Sequence, residues 1–380
     1  MHIAWLGKKS PFCGNVTYSK EITNALLSRG HQVSFLHFDH SEIEYDNWPN
    51  CQEVSLPFLY KSQVYTIPTW EASKILMESL RKLQPDLVHA SLTLSPLDFK
   101  LPEICAELNI PLVATFHAAY DSKLRNLKSS TQFLTYQVYA PCLANYDGVI
   151  IFSKIQRDLL IRLGVPSSKI AVIPNGVDVQ KYSPGISQFK SQVNTERLFV
   201  YQGRISTEKN VEALLKAWKH SDMGKNSKLV MVGDGYLAPS LSQVYGKEMG
   251  IIWLGFVEDE QQRIDILRAA NVFILPSLVE GLSLSLLEAM ACGIACLATD
   301  AGADGEVLED GAGVVLKTQG VTTQLKTLLP LFRDHPEITT LLGKKGRKRV
   351  LERYTLAGNL RRLDKFYADI LNRRHIQLTG

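Results

Sequence analysis

The strongest constraint on the fold is a pattern that recurs along the whole chain: a short apolar run, a loop carrying Gly or Pro, then a helix-forming stretch. Asn271–Ala291, reading NVFILPSLVEGLSLSLLEAMA, shows it most sharply. Val272–Leu275 is an apolar run of strand length closed by Pro276-Ser277, and Leu284–Ala291 is a helix former without Gly or Pro. Two carboxylates stand at the junction, Glu280 in the loop and Glu288 about one turn into the helix. A strand, a Gly-bearing loop and a helix start make an anion site, because the first N–H groups of a helix are unpaired and its dipole end is positive. Glutamates do not bind anions. Hydrogen bonds to the hydroxyls of a ribose or hexose suit them, with the helix start left to hold a phosphate. Ser285 and Glu288 are also spaced as a capping box, S-x-x-E, in which Glu288 is only a helix-end residue.

The same grammar opens the chain. His2–Leu6 is a strand, Gly7–Gly14 a loop carrying Lys8, Lys9, Pro11 and Gly14, Thr17–Arg29 a helix stopped by Gly30, and Val33–Phe38 a second strand. This β-loop-α-β unit begins a doubly wound sheet. Gly14 precedes the helix start, where bare backbone can approach a phosphate. The absence of G-x-G-x-x-G argues against a dinucleotide cofactor. Leu56–Trp70 is expected to be an irregular loop bearing Phe58, Tyr60, Tyr65 and Trp70, suited to local packing or to an acceptor or membrane contact. Strands follow at Asp86–Ala90 and Leu112–Phe116, and His117 stands at the C-terminal end of the latter, on the edge where open α/β sheets bind ligands. A lone histidine there reads equally as structural. Ser129–Asn145 is an aromatic helix led in by Lys123, Arg125 and Lys128. It reads either as an interfacial element or as core. The polar stretch Gly185–Asn194 reads as an interdomain linker.

A second series then begins. Strand Leu198–Gln202 runs into Gly203, Arg204, Lys209 and Asn210 before helix Val211–Lys219. Two cations beside a strand-to-helix crossover suit a diphosphate, yet the P-loop pattern is missing. Strand Leu229–Val232 ends in Gly233-Asp234-Gly235. After Asn271–Ala291 come strand Ala295–Ala298, the turn Ala301–Gly305, strand Gly313–Leu316 and two long basic helices. Two Rossmann-like α/β domains facing each other across a cleft are the economical architecture.

Composition agrees with a folded two-domain chain: 380 residues, 45% hydrophobic and 21% charged. The 6 cysteines include no C-x-x-C and read as reduced thiols of a cytosolic protein. No window reaches the roughly 20 apolar residues of a spanning helix, so the expectation is a soluble or peripheral protein. The net charge of +4 is uneven. Lys344–Arg374 holds 11 Lys or Arg against 3 acids, which suits an anionic membrane surface or a solvated helix face. No helix-turn-helix or RNA motif accompanies it, which speaks against nucleic acid.

Gly203-Arg204-x-x-x-x-Lys209-Asn210 followed by Glu280-x-x-x-x-x-x-x-Glu288 resembles the signature of family 4 glycosyltransferases, retaining enzymes of GT-B fold. Pro174–Asp178, Gly233–Gly235 and Gly302–Gly313 match the family too, so the resemblance spans essentially the whole chain. It implies domains over 1–187 and 195–354, with 355–380 as a helix crossing back to the first. It also implies roles. Arg204 and Lys209 would hold the diphosphate of a nucleotide-sugar, Glu288 the ribose hydroxyls, and Glu280 the transferred sugar. Gly203, Asp234 and the backbone of Ser283, Leu284 and Ser285 would line the donor. His117 would contact the sugar, and Gly14 the phosphate side. Cys13 replaces one glycine of a pair usual in that first loop. With no Asp-x-Asp motif at a strand end, metal-independent chemistry without a cofactor is expected. His89–Phe99 and Leu134–Asp147 look similar to membrane glycolipid glycosyltransferases such as digalactosyldiacylglycerol synthases. That implies galactosyl or glucosyl transfer from a UDP-sugar to a membrane glycerolipid, galactosyl-diacylglycerol in particular. Alternatives are a cell-wall or exopolysaccharide glycosyltransferase with a polyprenyl-linked or soluble acceptor, and a non-catalytic sugar-nucleotide-binding scaffold.

Overall fold

The computed structural model describes residues 1–10, 13–38, 50–62, 65–120 and 127–379, the side chains of 127–130 and 375–379 excepted. The chain divides into two compact units. The first takes Met1–Ala118, the segment ending at Pro174, and the chain from Asn359 onward; the second takes Asn175–Gly358. Gly185–Asn194 is therefore not the linker its polarity suggests. It lies in the second unit, with a helical turn at Phe189–Gln192. The Ser183 carbonyl just before it accepts from Arg268 Nε at 3.0 Å.

In the first unit seven parallel strands lie in the order Gln52–Ser55, Gln32–His37, His2–Gly7, Leu87–Ser91, Leu112–Thr115, Gly148–Ile151, Ile170–Val172. In the second, six parallel strands lie in the order Ile251–Gly255, Ser227–Val232, Arg197–Gln202, Val272–Leu275, Ala295–Thr299, Val314–Leu316. Val272–Leu275 and Ala295–Thr299 are buried at every residue, as strands covered by helices on both faces must be.

In each sheet the earliest strand lies inside, and the winding reverses beside it. The reversal falls between His2–Gly7 and Leu87–Ser91 in the first unit, and between Arg197–Gln202 and Val272–Leu275 in the second. Loops at the carboxyl ends of such a strand pair diverge and leave a crevice where ligands bind. In the second unit those loops carry Gly203–Asn210 and Pro276–Ser283.

Two expectations are corrected here. Leu56–Trp70 is not an irregular loop: Phe58–Lys61 and Thr66–Pro68 pair as an antiparallel two-stranded sheet, with proline tolerated because the strand is an edge. Leu59, Tyr60, Tyr65, Ile67 and Trp70 on it are exposed, with the Tyr60 and Tyr65 rings packed on each other at a centroid separation of 5.6 Å. In helix Leu127–Leu143, by contrast, Tyr136 and Tyr139 are buried. Core packing explains those aromatics; Lys123, Arg125 and the side chain of Lys128 lie outside the described residues. Three helices, not two, end the chain: Val321–Asp334, Pro336–Arg353 and Leu356–Thr379.

Part of the C-terminal basic charge serves the fold itself. Arg349 pairs with Asp310 at 3.0 Å, and Arg374 pairs with Asp147 at 3.0 Å. Arg373 donates to the Ser168 carbonyl at 3.1 Å. Tyr367 is fully buried with its hydroxyl on His89 Nδ1, which docks the last helix on the first sheet.

Candidate active site

The second unit brings together most of the residues singled out from sequence. Arg197–Gln202 ends at Gly203, whose N–H donates to the Val232 carbonyl at 2.9 Å. A Cβ on Gly233 would sit 1.9 Å from the Gly203 carbonyl, so glycine is required for the two loops to lie this close. Ile205 N–H donates to the Asp234 carbonyl at 2.9 Å, which pins the Arg204 loop beside Gly233–Gly235. Asp234 itself is exposed, at the rim, with its carboxylate turned to Gly235 N–H at 2.7 Å.

The buried Tyr201 hydroxyl donates to the Arg204 carbonyl at 2.6 Å. The Arg204 guanidinium lies 3.5 Å from Glu208. Burial opposes charge on Glu208, but the Ser206 hydroxyl, its own backbone N–H and Arg204 together hold its carboxyl below the usual range. Thr207–Lys209 forms a single 3-10 turn, and Asn210, left-handed at φ 51°, redirects the chain into helix Val211–Lys219. Asn adopts that conformation more readily than most residues. Here it donates to the Pro276 carbonyl at 3.2 Å. Leu278 N–H donates to the Glu208 carbonyl at 2.8 Å. The two loops are thus stitched together, and Lys209 Nζ meets Glu280 Oε1 at 2.6 Å, with the side chains 21% and 8% exposed.

Below Glu280 runs the turn after strand Ala295–Thr299. A Cβ on Gly302 would fall 2.2 Å from the Glu280 carbonyl. Ala303 N–H donates to the Gly281 carbonyl at 2.8 Å, and Ser283 N–H donates to Asp304 Oδ1 at 2.9 Å. Ser283, not Ser285, caps helix Leu284–Ala291, its hydroxyl accepting from Leu286 N–H at 3.4 Å. The capping-box reading of Ser285 and Glu288 therefore fails. Ser285 lies inside the first turn with its hydroxyl 3.0 Å from that of Ser283. Glu288 instead accepts from Gln202 Nε2 at 2.9 Å, facing the strand that ends at Gly203. Leu284 is the first helical residue, so the helix start, where Leu284 and Ser285 N–H have no acceptor within the helix, follows directly on the Glu280 loop. Gln202, Glu208 and Asp304 went unnoticed in the sequence. A Gln ending an apolar strand and an Asp in a Gly-rich turn carry no spacing signal, and only the fold shows their partners.

Gly14 and His117 belong to the first unit. Gly14 opens helix Gly14–Ser28. His117 follows strand Leu112–Thr115, with Nε2 2.8 Å from Ser91 Oγ. That hydroxyl also reaches Asn15 Oδ1 at 2.8 Å. Burial, and then the nearby Lys8 charge, push His117 down to about 3, which leaves the imidazole neutral at pH 7. Lys8 and Lys9 are buried. Lys8 donates to the Ser62 carbonyl at 3.1 Å and Lys9 pairs with Glu53 at 2.7 Å. Among the described residues no group of three or more His, Cys, Asp or Glu is placed to hold a metal, and no helix is long and apolar enough to cross a membrane.

Two family models match in tandem: Glycosyltransferase Family 4 over residues 13–181 and Glycosyl transferases group 1 over residues 185–349. Among curated relatives, the chain is similar to UDP-Gal:alpha-D-GlcNAc-diphosphoundecaprenol alpha-1,3-galactosyltransferase of Escherichia coli, at 26% identity over 78% of each chain. It is also similar to N-acetyl-alpha-D-glucosaminyl L-malate synthase of Bacillus anthracis, at 23% identity over 94% of each. Among solved structures, sucrose-phosphate synthase from Thermosynechococcus elongatus superposes with a TM-score of 0.77 at 21% identity, covering 98% of this chain and 99% of that one. HepE of Anabaena, solved in complex with UDP, gives 0.77 at 17% identity, over 97% and 100%. Between them the two models cover nearly all of both units, and the paired parallel sheets are those of the superposed structures. The chain belongs to the GT-B glycosyltransferases, with a family 4 domain followed by a group 1 domain.

Proposed function

We propose that this protein is a retaining glycosyltransferase that moves a hexose, galactose or glucose, from a UDP-sugar to a lipid-borne acceptor without a metal. The observation that carries the reading is the Lys209–Glu280 pair at 2.6 Å beside a helix start, flanked by Arg204 and Glu288. Breaking the bond from the anomeric carbon to the β-phosphate oxygen releases UDP and leaves an oxocarbenium-like sugar. Arg204, Lys209 and the N–H groups of Leu284 and Ser285 stabilise the charge that develops on the phosphate. Glu288 takes the ribose hydroxyls, and Glu280 the hexose. The acceptor hydroxyl attacks from the face the phosphate leaves. Its proton passes to the departing phosphate oxygen, so a glycoside and UDP are formed and no side-chain base is consumed. The UDP-galactose in the Escherichia coli relative's name and the UDP bound in HepE support the donor class.

The acceptor is a membrane glycerolipid, galactosyl-diacylglycerol being the specific candidate. The exposed hairpin supports this, with Leu59 75% and Trp70 88% exposed, since amphipathic aromatics settle at a bilayer interface. A polyprenyl-linked saccharide is the second reading, favoured by the diphosphoundecaprenol acceptor in the Escherichia coli relative's name. Incubation with UDP-galactose, UDP-glucose, GDP-mannose or ADP-glucose, with and without glycolipid vesicles, separates these. Nucleotide release that needs one UDP-sugar and the glycerolipid supports the reading. Release that needs a polyprenyl diphosphate saccharide moves the acceptor. Failure of every UDP-sugar refutes the donor.

A further inference from the structure

The turn Ala301–Asp304 ends in a carboxyl group with too few partners. Asp304 is wholly removed from solvent. Its Oδ1 accepts Ser283 N–H at 2.9 Å, and its Oδ2 has no hydrogen-bond partner. Glu280 and Lys209 act on it from the facing loops, and Asp300 and Glu306 lie along its own turn. Lys209 already donates to Glu280. An ionised Asp304 would add a second negative charge in a dry place with one N–H to receive it, whereas a buried carboxylate stays charged only when well hydrogen-bonded or paired. Burial first, and the Glu280 charge second, push its acid well above the usual range.

We propose that Asp304 is a positioning residue of the donor site that works as the neutral acid, fixing Ser283 at the helix start while keeping a second negative charge away from the Lys209–Glu280 pair. The inference deepens the donor-site reading and rests on it. Asp304→Asn copies the neutral acid and keeps an acceptor for Ser283 N–H; Asp304→Ala keeps neither oxygen.

The test joins two measurements. Chemical unfolding of wild type and Asp304→Asn between about pH 5 and 8 reads the charge state. A folded-state acid that retains its proton makes the variant gain roughly tenfold in the folding equilibrium per pH unit. A difference that does not change with pH overturns the proposal. Titration with UDP reads the positioning. Asp304→Asn is expected to bind within about threefold of wild type and Asp304→Ala about tenfold more weakly, the loss expected of one anchoring hydrogen bond. Equal losses in both variants also overturn it. If wild type binds no UDP, the donor-site reading falls, while the pH dependence of unfolding still decides whether Asp304 is neutral.

Discussion

Replacing Gly302 with alanine strikes at the construction of the site without touching any group that would contact a substrate. The new Cβ would lie 2.2 Å from the Glu280 carbonyl and 2.6 Å from that of Gly281. Non-bonded heavy atoms prefer roughly 3.5 Å or more, so the Glu280 loop or the turn must retreat by about 1 Å. The loop is tied on its other side by Leu278 N–H to the Glu208 carbonyl at 2.8 Å, so the retreat drags Glu280 off Lys209. Residue 302 also has a φ of +58°, which costs alanine roughly 1–2 kcal/mol by itself. Misplacement of a catalytic group by about 1 Å lowers turnover on the order of 100-fold. Gly30→Ala is the control. Its φ is +83°, but an added Cβ there meets nothing within 4 Å, so it carries the conformational cost of roughly 1–2 kcal/mol alone and keeps full activity. UDP release and urea unfolding of both variants decide the matter. Gly302→Ala with near-normal turnover and no more destabilisation than Gly30→Ala would refute the close approach.

Further outcomes follow from the same contacts. Lys209→Ala strands the Glu280 carboxylate and is expected to cost about 3 kcal/mol, the low end for a broken buried pair because Lys209 is 21% exposed. Adding Glu280→Gln should recover most of it in a double-mutant cycle, and a purely additive pair would deny the coupling. In the first unit, burial pushes Asp98 up to about 7 against the pull of the Ser95 N–H, Tyr139 and Lys8. The folded state then holds the proton more tightly than the unfolded chain, so the stability this acid contributes is full below about pH 4 and lost as the pH rises toward 7. Asp98→Asn should therefore overtake wild type by a few kcal/mol at pH 8 in denaturant unfolding, and equal pH profiles would contradict the assignment. Replacing Tyr60 and Trp70 by serine should cut vesicle co-sedimentation about tenfold, the scale set by losing two interfacial aromatics, without changing UDP binding. Unchanged sedimentation would remove the hairpin from the membrane reading.

The fold was legible because most of the buried strands are apolar runs, set off from helix-forming stretches by polar or Gly- and Pro-bearing loops. Val272–Leu275, Val211–Lys219 and Leu284–Ala291 were placed from that contrast alone, and their bounds hold. Leu56–Trp70 misled because two prolines and scattered aromatics mask the alternation of a short edge hairpin. Gly185–Asn194 misled because a polar surface segment packed on one domain has the composition of a linker. Within the candidate site, charged residues stood out by type and spacing, so Arg204, Lys209, Glu280 and Glu288 could be named. Their supports could not. Gln202 and Asp304 act through burial and through partners 86 and 21 residues away, distances over which one sequence carries no pattern.

UDP-sugar turnover is proposed to run through the switch point of the second unit. The most direct test is UDP release from UDP-galactose and UDP-glucose by wild type, Lys209→Ala and Glu288→Ala, each checked for native circular dichroism. Wild type is expected to turn over one of the two donors; Lys209→Ala, still folded, falls by at least about 100-fold, the usual loss when a group stabilising developing charge is removed, and Glu288→Ala, still folded, falls by at least about tenfold, the loss of charged hydrogen bonds to the ribose. Near-normal release by either folded variant would contradict this route.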